Sequence, residues 1–277
     1  MPTETQQRLP GTRPEGATSE NEARHYVRRM FSEISGRYDL LNHLLTGNLD
    51  RVWRRRTARA FDHILRLPHA RVLDLCCGTG DLALALKRQA THSCSAGAAV
   101  FGGDFSHPML VRAREKSREP AAVRDARSNE IRWFEADALA LPLRPSSFDL
   151  ITLAFGFRNL TNYEAGLREF FQLLRPGGEL GILECADPRN PLFGPVYRFY
   201  FGKILPLIGG AISGSAAAYT YLPASVGKFP DPDTLARMMS DAGFAAVGYQ
   251  LWVGGAIALH TGRRPHEGQS RGGGSHP

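Results

Sequence analysis

A chain of 277 residues that is 43% hydrophobic and 22% charged has the make-up of a globular protein, which excludes a collagen-like, low-complexity or wholly disordered chain. Its formal net charge of +7 admits nucleic acid or an anionic lipid surface as a partner, but no paired RNP-type aromatics and no zinc-finger spacing speak for nucleic acid. Cys76, Cys77, Cys94 and Cys185 form no CxxC pair and lie near no His cluster at zinc spacing, so the sequence predicts no disulfide framework, no metal site and a reducing, cytoplasmic location.

Residues 1–22 are polar, with no apolar run for a signal peptide, and read as a disordered leader. Residues 23–264 read as one domain. Its first part, roughly Glu22 to Leu67, has helical spacing, and Arg51, Arg54, Arg55, Arg56 and Arg59 among apolar residues predict an amphipathic helix with a basic outer face. Between residues 70 and 184, the runs "RVLDL", "AAVFGGDF", "IRWFEA", "FDLITLAF" and "ELGILE" read as strands. Helical patterns at Gly80–Arg88, Pro108–Ser117 and Tyr163–Leu174 separate them. This alternation predicts an α/β fold with a parallel sheet.

"RPGGEL" reads as a helix stop and turn. A segment dense in aromatics, Gly and Pro, about 188–230, reads as a helical lid. Its uncharged stretch after Ile204 is too interrupted by Pro, Gly and Ser for a membrane span. Last come a helix in "DPDTLARMMSDAG" and two strands, "FAAVGYQLWV" and "GAIALHTGRR", close enough to be antiparallel neighbours, before a disordered tail at 265–277.

The first strand runs into "VLDLCCGTGD", in which Gly78, Gly80 and Ala83 satisfy the dinucleotide pattern G-x-G-x-x-A. A pyrophosphate would sit at the helix N-terminus beside Asp81, where a carboxylate cancels the attraction that helix ends have for anions. S-adenosylmethionine brings a sulfonium and an ammonium instead, which Asp74 and Asp81 would attract. Asp104 ends the second strand, where an acid can hold a ribose, and Asp137 and Ala138 follow the third, where an adenine amine can bind. These loops converge beyond the carboxyl ends of a parallel sheet.

The stretches "VLDLCCGTGD", "GGDFSHPML", "ADALALPL…FDLITLAFGFRNL" and "LLRPGGELGILE" resemble class I S-adenosylmethionine-dependent methyltransferases. "FSEISGRYDLLNHLLTGNLDRVWRR" and "FGFRN" narrow the likeness to the quinone C-methyltransferase family, over about Ala23 to Arg264. The resemblance implies a Rossmann-like, mostly parallel seven-stranded sheet with an antiparallel C-terminal strand, N-terminal helices and a helical lid. It places cofactor contacts on Thr79, Asp104, Asp137 and Ala138, to which the chemistry of the turn adds Asp74, Gly78 and Gly80, and substrate or catalytic contacts on Tyr38, Asp39, Asn42, Arg158 and Asn159, with Phe155 as a further substrate-binding candidate. The chain departs from the family pattern at Asp50 (usually His), Thr46 (usually Ser) and Ala186 (usually Ser). Ala154 stands where ubiquinone-pathway members carry Ser, which leans towards the menaquinone branch.

By the same resemblance the substrate is a reduced polyprenylated quinone precursor, demethylmenaquinol being methylated to menaquinol. Arg158 and Asn159 would hold the quinol oxygens, with water, Asp39 or Tyr38 as proton acceptor. An apolar wall of Phe201, Ile204, Leu205, Leu207 and Ile208 would take the tail, and the basic helix would rest on anionic lipid at the inner face of the membrane. A homodimer or a quinone-synthesis complex would be the assembly. Two alternatives stay open: a nicotinamide-dependent oxidoreductase, and a catalytically silent scaffold subunit of a quinone-synthesis assembly.

Overall fold

The computed structural model describes residues 11–36, 38–93, 98–118, 130–188, 191, 193–204 and 216–266. Val72, Leu73, Asp74 and Leu75 are all buried, as a strand covered on both faces requires. This strand, β1 (Arg71–Leu75), pairs in parallel with β2 (Ala99–Asp104) and with β4 (Phe148–Ala154); β3 (Arg132–Glu135) extends the sheet beyond β2. On the other side β5 (Leu174–Cys185) follows β4 in parallel. The C-terminal hairpin β6 (Ala245–Trp252) and β7 (Ile257–Arg263) inserts β7 antiparallel to both β5 and β6. The order is β3-β2-β1-β4-β5-β7-β6, so the sheet reverses direction of growth at β1 and β4, where an open sheet leaves its ligand crevice.

Among the described residues four helices precede the sheet: α1 (Glu20–Ile34), α2 (Tyr38–Leu45), α3 (Leu49–Ala60) and α4 (Asp62–Leu65). Between the strands lie α5 (Asp81–Ser93), α6 (His107–Arg118) and α7 (Tyr163–Leu173), the last capped by Asn162 accepting from the Ala165 N–H. The lid comprises α8 (Phe193–Phe199), a π-helical turn (Tyr200–Ile204) and α9 (Ala216–Lys228); α10 (Pro232–Asp241), capped by Asp231, follows. Phe61, Leu65, Leu82 and Leu86 pack on one sheet face, and Phe157, Leu167, Phe170, Leu235 and Met239 on the other. Val27, Met30 and Ile34 of α1 join Met109 and Tyr221 in a third cluster that seats α1 beside the crevice.

The structure corrects several expectations. The Thr12 N–H donates to the Leu160 carbonyl at 2.8 Å and its hydroxyl meets the Tyr221 hydroxyl at 3.1 Å, so the chain from Gly11 belongs to the folded body rather than to a disordered leader. "RPGGEL" lies within β5 as a looped-out irregularity: Leu174 pairs with Phe148, Glu179 pairs with Leu150, and Gly177 takes φ +84° between them. The basic face of α3 is incomplete, because Arg54 is buried beside Asp50 and Asp81 while Arg56 lies over the Trp252 ring at 4.6 Å. Residues 1–10, the tail 267–277, Cys94, Leu205, Leu207, Ile208 and the side chains of Phe201 and Ile204 lie outside the described residues. Among the described residues no helix is long and apolar enough to cross a membrane.

Candidate active site

Beyond β1 the backbone turns sharply: Cys76, Gly78 and Gly80 have φ of +51°, +53° and +83°. The two glycines serve different ends. A Cβ on Gly80 would lie 2.5 Å from the Trp133 ring, so that residue permits packing, whereas at Gly78 the nearest atom would be Tyr38 Cε1 at 3.8 Å, leaving room for a ligand. Asp104 accepts from the Gly78 and Ser106 N–H groups, each at 2.8 Å, and burial pushes its carboxyl up to about 6. Asp137 accepts from the Leu139 N–H at 2.9 Å and pairs with Arg24 at 3.1 Å. Gly78, Asp104, Asp137 and Ala138 line one cavity, together with Phe155, which the sequence places with the substrate.

A small polar cavity adjoins it, lined by Arg54, Asp74, Gly78, Thr79, Asp81 and Ala154 among others. Asp74 is buried and its Oδ1 accepts from Thr152 at 2.9 Å; its Oδ2 has no well-formed hydrogen bond among the described residues, the Ala83 N–H adding only a weaker attraction. Burial pushes this carboxyl up to about 7. Asp81 is no free receiver of a cation, contrary to expectation: Lys116 pairs with it and Arg54 lies 3.7 Å away. Burial would raise its pKa, but those two cations outweigh it and hold the group below the usual range. The orphaned Asp74 oxygen, the open face of Gly78 and the acid at Asp104 together suit a nucleoside with a cationic end, the chemistry of S-adenosylmethionine.

A larger cavity of about 290 Å³ lies on the other side of Tyr38 and Phe155. Trp53, Tyr197, Tyr200 and Ile257 supply apolar wall, with Asn42, Thr46, Asp50, Arg54 and Arg158 as polar lining. Tyr38 borders all three cavities and Phe155 borders the first and third, so these two side chains stand at the junction. Phe155 occupies that place at φ +59°, a left-handed conformation costly for a bulky residue. Burial raises the Tyr38 phenol, so it stays protonated.

Arg158, which lines this large cavity, forms a buried ion pair with Glu184 behind it. Glu184 also accepts from the Arg158 N–H at 3.2 Å and the Cys185 N–H at 3.0 Å, and the guanidinium donates to the Phe155 carbonyl at 2.8 Å. Burial alone would lower the Arg158 pKa; the Glu184 charge overrides it and the net shift is upward. Burial pushes the neighbouring Cys185 thiol up to about 12, and those of Cys76 and Cys77 also upward, so none of these three is available as a thiolate.

Two expected neighbours of Arg158 are elsewhere. Asn159 turns to the Asp104 side, where its side-chain oxygen accepts from Tyr221 at 3.0 Å, so it does not share a cavity with Arg158. Asp39 binds the Thr79 hydroxyl and Lys116, the latter at 2.8 Å, and does not line the large cavity. Sequence reasoning missed Glu184, whose signal was a lone acid inside the apolar run "LGILEC", and Lys116, which carried no signal. It also missed the inward turn of Arg54. Asp50, where the resemblance leads one to expect a His, pairs with Arg54 and accepts from His43 and Thr46, each at 2.9 Å. His43, Asp50 and Asp81 bring three ligand-type atoms within 4.8 Å of one another, but the Arg54 guanidinium pairs with both acids.

This sheet order, with the glycine turn between β1 and α5 and acids at the ends of β1, β2 and just past β3, is the fold of the class I S-adenosylmethionine-dependent methyltransferases. An S-adenosylmethionine-dependent methyltransferase of Thermotoga maritima superposes with a TM-score of 0.57 at 18% identity, covering 86% of this chain and 99% of that one. The CurJ carbon methyltransferase gives 0.58 at 15% identity, covering 83% and 59%. The chain belongs to the ubiE/COQ5 methyltransferase family, whose sequence pattern matches residues 17–264.

It is 50% identical over 236 residues to the demethylmenaquinone methyltransferase of Thermus thermophilus, covering 85% of this chain and all of that one. It is also 37% identical over 246 residues to the ubiquinone/menaquinone biosynthesis C-methyltransferase UbiE of Azotobacter vinelandii, covering 89% and 92%. The protein is therefore an enzyme that uses S-adenosylmethionine. Neither the nicotinamide reading of the glycine turn nor the silent-scaffold reading draws support from these relationships.

Proposed function

We propose that the enzyme methylates a ring carbon of a reduced, polyprenylated demethylquinone, converting demethylmenaquinol to menaquinol. The observation that carries this reading is Arg158, held by the buried Glu184, on the wall of a largely apolar cavity that meets the cofactor crevice at Tyr38 and Phe155. The relatives of Thermus and of Deinococcus radiodurans, the latter 46% identical over 218 residues, bear the name demethylmenaquinone methyltransferase, the branch to which the resemblance assigns Ala154.

When bound, S-adenosylmethionine supplies an electrophilic methyl group. Asp104, Asp137 and Ala138 would hold its nucleoside end and Asp74 its ammonium. What remains for the protein is to make a ring carbon nucleophilic and to aim it. Arg158 stabilises the quinolate oxygen, which lowers the pKa of the quinol hydroxyl and enriches the adjacent carbon. Arg158 is too basic to accept the proton, Tyr38 is already protonated, and Asp39 is engaged elsewhere, so the proton leaves to water. Trp53, Phe155 and Tyr200 exclude bulk water and fix the ring plane. Orientation of this kind supplies roughly 7–11 kcal/mol, against about 10²–10⁴-fold from a general base, so alignment dominates.

Incubation with reduced demethylmenaquinone and labelled S-adenosylmethionine should yield labelled menaquinone. Arg158→Ala should lower kcat far more than cofactor affinity; equal loss of both would remove Arg158 from this role.

A peripheral contact with an anionic bilayer accompanies the reading. Leu49 and Val253, which line the large cavity, are themselves exposed, and Val52, Phe199, Arg51 and Arg55 lie exposed on the same or adjoining elements. Flotation with anionic but not with neutral liposomes supports it; equal behaviour on both overturns it.

A further inference from the structure

S-adenosylmethionine carries two opposite charges on its amino-acid end, an ammonium and a carboxylate, and a cavity that holds this end needs a host for each. The small polar cavity beside the glycine turn adjoins the one at Asp104 and Asp137 through Tyr38, Cys76 and Gly78, which line both. A nucleoside end at Asp104 and Asp137 therefore directs the amino-acid end into it. The unsatisfied, buried Asp74 Oδ2 answers the ammonium. For the carboxylate the N-terminus of α5 is a poor host, because Asp81 sits in its first turn. Among the described residues lining this cavity, one cation remains, Arg54.

We infer that Arg54 receives the carboxylate of S-adenosylmethionine, so that the cofactor is held from helix α3 as well as from the sheet. The inference rests on the assignment of this crevice to the cofactor. Arg54 is 6% exposed and held in place on several sides: Asp50 takes its Nη1, Asp81 lies 3.7 Å from that nitrogen, and the Phe155 ring packs 5.6 Å from the guanidinium carbon. A guanidinium has five N–H donors in a planar fork, so one edge engaged by Asp50 leaves donors for a ligand carboxylate. Arg54 also lines the large apolar cavity, which makes one side chain the partition between the donor's charged end and the acceptor's site.

Titration calorimetry separates this role from a structural one. The probes are S-adenosylhomocysteine and its decarboxylated analogue, which keeps the adenosine, sulfur and amine. The wild-type protein should bind S-adenosylhomocysteine about 10–100-fold more tightly, the range expected for loss of a charge-assisted hydrogen-bonded pair. Arg54→Gln should erase that preference by weakening S-adenosylhomocysteine while moving the analogue by less than about 2-fold. Arg54→Lys, which keeps the charge and loses the fork, should fall between. Equal affinity of the wild-type protein for both ligands overturns the inference without any variant. Arg54→Gln weakening both ligands alike also overturns it, since the side chain would then merely hold the fold. If neither ligand binds the wild-type protein, the cofactor assignment itself fails.

Discussion

Glu184→Ala is the sharpest perturbation of this fold. Glu184 has no exposed surface and accepts three N–H groups: the Arg158 guanidinium, the Arg158 amide and the Cys185 amide. Removing the carboxylate leaves a guanidinium charge buried without its counter-ion and strands two backbone donors. Breaking such a pair by deleting one partner costs about 3–5 kcal/mol. In a protein of this size each kcal/mol lowers Tm by roughly 2–4 °C, so the variant should melt about 10 °C lower in a circular-dichroism scan.

The double variant Arg158→Met, Glu184→Leu replaces both charges by apolar volume and should recover most of that loss, since an apolar substitute for a buried pair is often neutral or better. It should recover no methyl transfer, because the oxyanion then has no cation. A Glu184→Ala variant that melts within about 2 °C of wild type would refute the buried pair, given the cost expected for it. A double variant as unstable as the single one would show that the loss came from packing, and a double variant that still turns over would remove Arg158 from the chemistry.

Asp104→Ala should weaken S-adenosylhomocysteine binding in calorimetry by about 10–100-fold, as loss of a charge-assisted ribose contact does, and unchanged binding would refute the ribose assignment. Burial raises Asp74 and Asp104 from 3.8 to about 7 and about 6, so the folded state holds these protons more tightly than the unfolded one. Stability of the ligand-free protein should consequently fall as pH rises from about 4 to about 7. Asp50 and Asp81, held low by their cations, act in the opposite sense only in more acidic solution. Asp74→Asn should flatten the decline of Tm between about pH 5 and 7, and an unaltered slope would contradict the burial of that acid. Gly80→Ala drives a Cβ to 2.5 Å from the Trp133 ring at φ +83° and should cost at least roughly 1–3 kcal/mol in urea unfolding. A variant as stable as wild type would mean that Trp133 does not pack on the turn.

What the sequence disclosed and what it withheld have physical causes. The strands were legible because a buried parallel strand is a continuous apolar run, and β1 and β4 are buried along almost their whole length. The acids at the strand ends were legible because the fold gathers strand termini whatever the loops contain. Contacts set by distant partners were not. Asp39 meets Lys116 from 77 positions away, and nothing near either residue announces the pair.

Arg158 and Asn159 look like a unit in "FGFRN", yet Phe157–Asn159 is a single 3₁₀ turn, in which successive side chains point about 120° apart. Adjacency in sequence there separates the two residues into different cavities. Arg54 shows the same limit in a helix: its spacing matched a solvated basic stripe, and only Asp50 one turn earlier and Asp81 from another helix supply the charge that lets a guanidinium be buried. Asp50, where the resemblance leads one to expect His, thus has a structural consequence in this chain. An acid at that place can hold Arg54 inward against the cofactor crevice, which a neutral imidazole could not do with its charge.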